Sequence, residues 1–162
     1  MKVYAILLFI TIETFGLCQK EFFKDRSIDI EFGVNIGAKN TSIEIGFNLF
    51  KEFTELSGHL YSSDALLLSS ELIYLNNNLV LIPKISYSYN MIFLNFSGSL
   101  VNYNYNKLNE FYFRPAIGIT LFGYADIVYG YNIPIHHSLE FVNTHTITLR
   151  GRLFGIFKNR VF

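Results

Sequence analysis

Residues 27–50 read SIDIEFGVNIGAKNTSIEIGFNLF, and this stretch decides the fold. Ile28, Ile30, Phe32, Val34 and Ile36 alternate with Asp29, Glu31, Gly33, Asn35 and Gly37. After Lys39-Asn40, Ile43, Ile45, Phe47 and Leu49 alternate with Glu44, Gly46 and Asn48. A strand sends successive side chains to opposite faces, so a period of two means a sheet with one apolar and one polar side. Lys39-Asn40 is the tight turn between two such strands, Ser27–Ala38 and Thr41–Phe50.

The same alternation continues outward from this pair. It predicts further strands over 65–75, 79–89, 91–104, 111–121, 124–133 and 144–153, which makes eight. Asn76-Asn77-Asn78, Asn90 and Phe122-Gly123 are the expected turns, and 106–110 and 134–143 the expected polar loops. The stretch 51–64 is open: it is a long connection, or it holds a strand over 54–61, in which case extra strands would raise the count to ten. The strands are close to the length that crosses a bilayer when tilted, about 9–11 residues. An antiparallel meander of eight closes naturally into a barrel. The expected fold class is therefore all-β, an up-and-down antiparallel β-barrel of eight strands (ten if 51–64 adds to it), transmembrane.

The faces follow from where the charges fall. Asp29, Glu31, Glu44, Glu71, Lys84, Arg114, Asp126, Arg150 and Arg152 all lie on the polar parity. Period two by itself fits a soluble cup with its apolar face inward, and equally a membrane barrel with its apolar face toward lipid. Three features favour the second. The polar parity is rich in small residues (Gly33, Gly37, Gly46, Ser86, Ser97, Ser99, Ala116, Gly118, Gly130), as a crowded eight-strand interior requires. Its acids and bases nearly balance, as buried charges must. Tyr74, Tyr87, Tyr89, Tyr129 and Tyr131 fall on the apolar parity near strand ends, the position of an interfacial aromatic belt. Leu67, Ile73, Ile82, Phe93 and Val128 share the polar parity and predict a plug that is partly apolar. Pro83 and Pro115 fall inside strands, where each removes a ladder donor and calls for a bulge or an early strand end.

Composition narrows the function classes. The chain has 162 residues, the size of one domain, with 51% hydrophobic and 17% aromatic residues, too apolar for a disordered chain. Lys and Arg together number 13, as do Asp and Glu, so there is no basic footprint for nucleic acid. Lys2 followed by the apolar run 3–12 and by Gly16-Leu17-Cys18 reads as a cleaved signal peptide over 1–18, leaving 19–162 as a single barrel domain. A spanning helix would need about 20 apolar residues. Cys18 is the only cysteine, so the mature chain has no disulfide. Its use as a lipidated residue would require a small residue where Leu17 stands.

Arg114-Pro115-Ala116-Ile117-Gly118-Ile119, Phe122-Gly123-Tyr124 and Tyr129-Gly130-Tyr131-Asn132-Ile133-Pro134 resemble the C-terminal half of small outer-membrane β-barrel proteins of Bacteroidetes-type bacteria. The resemblance extends weakly to Thr146–Leu153 and to Pro83-Lys84-Ile85-Ser86-Tyr87. It implies a barrel in the bacterial outer membrane, in contact with membrane lipid and inserted by the outer-membrane barrel assembly machinery. In such barrels that machinery often reads a terminal aromatic, a place filled here by Phe162.

Candidate chemistry is sparse. His136-His137 with Glu140 falls short of a metal set. Ser138 beside these histidines would be the nucleophile of a lipid hydrolase or acyltransferase, but nothing supplies an oxyanion hole. His59 and His145 stand alone. No nucleotide-binding glycine motif occurs, and no cofactor is expected. The candidate site is the lumen charge network: Glu31, Glu44, Lys84, Arg114, Asp126, Arg150 and Arg152, which either lines an ion path or plugs the barrel by mutual neutralisation. The expected function is a non-enzymatic outer-membrane barrel with a structural or surface-interaction role and a filled polar lumen. The alternatives are an outer-membrane lipid-modifying enzyme, and an exported soluble barrel binding a small apolar ligand.

Overall fold

Eight strands form the wall: β1 (Arg26–Gly37), β2 (Thr41–Lys51), β3 (Leu60–Leu75), β4 (Asn78–Met91), β5 (Leu94–Tyr105), β6 (Leu108–Leu121), β7 (Ala125–Tyr131) and β8 (His145–Phe157). The computed structural model describes residues 26–51, 54–56, 60–75, 77–105, 108–121 and 124–157, with no helix among them. Each strand pairs antiparallel with its neighbours in sequence. β1 also pairs with β8, through Glu31↔Arg152 and Gly33↔Arg150, so the ring closes. Closure leaves the wall without the free edge strands that an open sheet has.

The two additional strands are short and do not widen the wall. Thr54–Leu56 pairs only with the start of β3, from Thr54↔Ser62 to Leu56↔Leu60. The ambiguous stretch thus holds a small hairpin at the end of the barrel where β1 starts and β8 finishes. Ile133–Pro134 pairs with Tyr112 and Phe113 of β6. It continues the line of β7 past Asn132, whose N–H bonds instead to the Thr144 carbonyl.

One expected turn is displaced and one expected loop is shortened. Asn90 lies within β4 and pairs with Asn95; the reversal falls on Ile92-Phe93, between the paired Met91 and Leu94. Tight hairpins need positive φ, and Ile92 takes it at 53° although a β-branched residue is poorly suited to that region. Asn77 does the same at 64° at a position where asparagine is well tolerated. Phe93 belongs to this turn and is exposed, not lumen-facing. The loop expected over 106–110 is shorter than its composition suggests, because Leu108–Glu110 already belong to β6.

Both strand prolines mark interruptions. Pro83 pairs with Ser70 of β3, while the β4–β5 ladder stops at the next residue, Lys84↔Val101. Pro115 sits where β6 changes partner, between Phe113↔Ile133 and Ala116↔Gly130.

The two faces are sorted as parity requires of a barrel with its apolar side outward. Phe47 is 60% exposed and Ile119 58%, with Ile45, Leu68, Leu81, Ile117, Ile127 and Ile147 also on the outer surface. The opposite arrangement, with these side chains gathered at the centre, is not what the chain adopts. Tyr74 and Tyr131 stand toward the end that carries loop 132–144, and Tyr87 and Tyr124 toward the other. All nine charged residues of the polar parity are buried inside. Small residues let the wall close tightly around them. A Cβ on Gly118 would lie 2.0 Å from the Ile127 carbonyl oxygen, and one on Gly46 2.5 Å from Ser69 Cβ.

The predicted signal segment 1–18 with Cys18, His59, the Phe122-Gly123 turn and terminal Phe162 lie outside the described residues.

Candidate functional site

The lumen is stacked in zones. At the loop end is an apolar core: Ile73, Val80, Ile82, Val101, Tyr103 and Tyr112 from the wall, with Leu139 and Val142 from loop 132–144. The loop expected to be a polar surface feature therefore folds partly inward and caps the barrel. Tyr112 fixes it from below, its hydroxyl accepting from the Leu139 N–H at 2.6 Å. Tyr103 packs edge-on against Tyr112 and Phe141.

Asparagines fasten the rim of this cap. Asn143 Oδ1 accepts from the Lys39 N–H at 2.7 Å, and its Nδ2 donates to Asn40 Oδ1 at 2.6 Å. Asn40 in turn donates to the Phe141 carbonyl. Gly37 is small because of this clasp: a Cβ there would overlap the Asn143 amide, 2.1 Å from its Cγ.

Beneath the cap lies the first ionic cluster. Glu71 accepts from Arg114 Nη1 at 2.6 Å and from Lys84 Nζ at 3.1 Å. Lys84 Nζ also reaches Glu44 at 2.6 Å. The remaining lone pairs are used too: Ser69 donates to Glu44 at 2.6 Å and Ser42 to Glu71 at 3.4 Å. Two acids and two bases thus alternate across β6, β3, β4 and β2, with each charge meeting its opposite. A buried ion is tolerable only under that condition.

A second cluster lies further toward the chain-terminus end. Glu31 accepts from Arg152 Nε at 3.0 Å and from Arg150 Nη1 at 3.5 Å, and Arg152 Nη2 stands 3.7 Å from Asp126. Asn48 donates to Glu31 as well. The two arginines of the wall that lie flat do so over glycines. Arg150 Cγ would be 3.0 Å from a Cβ on Gly33, and Arg114 Cγ 3.1 Å from one on Gly130.

Glu31, Glu44, Lys84, Arg114, Asp126, Arg150 and Arg152 fall into these two clusters. Glu71 was not among the singled-out residues, yet it joins Arg114 to Lys84. Its polar parity was legible, but its place between two bases depends on contacts across strands. The cap and the first cluster are physically continuous. Arg114 Nε donates to Asn132 Oδ1 at 2.6 Å, and Asn132 Nδ2 donates to the Asn143 carbonyl at 2.6 Å. Arg114 Nη2 also donates to Tyr103 at 2.9 Å.

The other candidates are dispersed. His137 Nδ1 lies 3.2 Å from Glu110 at the surface, and His145 bonds to Tyr129 on the outer wall. No group of three or more His, Cys, Asp or Glu placed to hold a metal occurs among the described residues. Comparison with known protein families, curated sequences and solved structures returned no match.

Proposed function

We propose that this protein is an outer-membrane β-barrel with a structural or surface-interaction role, its lumen closed by its own side chains. The observation that carries the reading is the pairing of a continuous apolar outer wall with a buried, charge-compensated interior. In water such a wall would be a very large exposed apolar surface, far beyond the few hundred Å² that soluble monomers show. In a bilayer it is the expected surface, and a closed barrel is one of the only two backbone arrangements that span one.

The filled lumen argues for a non-conducting barrel. Glu44 and Glu31 are both 0% exposed and bonded on several sides, and an ion crossing the barrel would have to break those pairs. What remains available for partners is the loop end, where 132–144 joins the turns at 38–40 and 77. Ile135, His136, His137 and Ser138 are exposed there. The lipid-modifying alternative would rest on Ser138 with His136 or His137, and His137 Nδ1 stands 3.2 Å from Glu110 at the surface.

Membrane fractionation with gel mobility before and after boiling tests the reading. The protein should pellet with outer membranes and migrate differently once heated. Recovery from periplasm or medium without detergent would overturn it.

A further inference from the structure

Charge compensation in the lumen is one unit short. The buried charges are Asp29, Glu31, Glu44, Glu71 and Asp126 against Lys84, Arg114, Arg150 and Arg152, five acids to four bases. Four of the acids stand within ion-pair distance of a base: Glu44 and Glu71 in the first cluster, Glu31 and Asp126 in the second. Asp29 has no such base among the described residues. It is 2% exposed, and its hydrogen bond there comes from the Ser27 hydroxyl at 3.3 Å.

Its neighbours do not make up the difference. Glu31, two residues further in on the same face of β1, has the same sign and is held by Arg150 and Arg152. Asn48 stands opposite Asp29 in the β1–β2 register. Its Nδ2 is committed to Glu31, and its Oδ1 has no hydrogen-bond partner. That carbonyl puts the negative end of a dipole beside Asp29, an effect that acts through space and needs no contact. Toward the same end of the lumen Ser63, Ser88, Asn90, Asn95 and Thr120 are buried, and all are uncharged. An ionised carboxylate in such a place is too costly to keep without a counter-charge.

We infer that the chain-terminus end of the lumen binds one small monovalent cation, of the class of sodium, at the Asp29 carboxylate, with Ser27 Oγ as a second oxygen. The excess charge sets the valence. One positive unit cancels it, whereas calcium would overshoot it and asks for about 6–8 oxygens. The tight surroundings set the size, favouring a small ion that sheds most of its water. Asp29 lies three residues in from the start of β1 at Arg26, and half-buried Ser27 stands between it and the mouth. The ion therefore enters along the lumen, and its binding does not depend on what meets the outer wall.

The test unfolds the full barrel in urea, in neutral detergent, with sodium, calcium or choline chloride at constant ionic strength. Sodium should raise the midpoint to a plateau. At about ten times its dissociation constant the folded-to-unfolded ratio should be about tenfold higher than in choline. Asp29→Asn should abolish the sodium response and, in choline, be more stable than the parent, because it removes the unpaired charge. Loss of a merely structural contact would lower stability in every salt. The ion series on the parent stands alone should Asp29→Asn not fold. Infrared difference spectra of isotope-labelled aspartate, parent minus Asp29→Asn, should show an ionised carboxylate that shifts when sodium replaces choline. Equal midpoints in sodium and choline, an undiminished sodium response in Asp29→Asn, a response to calcium alone, or a protonated Asp29 at neutral pH would each overturn the site.

Discussion

The loop-end core and the ionic middle plug the same barrel by opposite physics. The core of Ile73, Val80, Ile82, Val101, Leu139 and Val142 is held by burial, which has no direction and tolerates small shifts. The clusters around Glu71 and Glu31 are held by pairing, in which each charge is acceptable only while its partner is in place. The first zone recruits a loop to complete itself, and the ion pairs of the second all join wall strands, with the loop touching them only through Asn132 on Arg114. A barrel of this size can evidently be filled by either means. The difference is in how each fails: the core should loosen gradually, and the ionic middle should fail all at once when one member is lost.

The largest effect should come from Glu71→Ala. It strands Arg114 and weakens the hold on Lys84, and losing one partner of a buried pair costs about 3–5 kcal/mol. Urea titration of the barrel folded into vesicles reads this directly. The double variant Glu71→Leu/Arg114→Leu should be much less damaged than the sum of its singles, because it removes both charges and leaves Lys84 with Glu44. A strictly additive double would erase the distinction between the zones.

Next in size, Leu139→Ala in the core should cost about 2–5 kcal/mol. The loss should be accompanied by faster amide exchange in 132–144 and little change near Glu31. If exchange rises equally around both clusters, the cap and the middle are one unit rather than two. Asn143→Ala releases the clasp on Lys39 and Asn40 at about 1–3 kcal/mol, from bonds worth about 0.5–1.5 kcal/mol each. It should speed exchange at the cap rim before anywhere else.

The smallest effect lies outside both zones and serves as their control. Ile92→Asn places a residue tolerant of positive φ in the tight turn and should raise stability by about 1 kcal/mol. Neither the cap nor the clusters should respond.

What could be read from the chain beforehand depended on whether a residue's position has a parity. Strands have one, so the wall and its two faces followed from the alternation, while the outward turn of the apolar face and the burial of Glu31, Arg114 and Arg152 followed from the small residues and balanced charges of the polar parity and the tyrosines of the apolar one. Leu67, Ile73, Ile82 and Val128 were marked as inward for the same reason, and all are buried. Loops have no parity, so nothing in 134–143 marked Leu139 and Val142 as core. Asn90 read as a turn because asparagine favours turns. Its actual role is a buried bond from Asn95 at 2.6 Å, and the apolar Ile92-Phe93 carries no turn signal. Glu71 read as a polar-parity charge like the others, but its place in the network comes from contacts across β4 and β6 that no local pattern displays. The stop of the β4–β5 ladder beside Pro83 was visible only as a proline in a strand; that it falls on one side is a matter of pairing.

The most direct test of the account is which solvent meets each face of β2. Spin labels at Phe47→Cys and Asn48→Cys, each in a Cys18→Ser background, can be probed with oxygen and with a water-soluble nickel chelate in vesicles. The account predicts a label at 47 that is open to oxygen and closed to nickel, and one at 48 that is closed to both. A label at 47 quenched by nickel, on a protein that floats free of the vesicles, would contradict it.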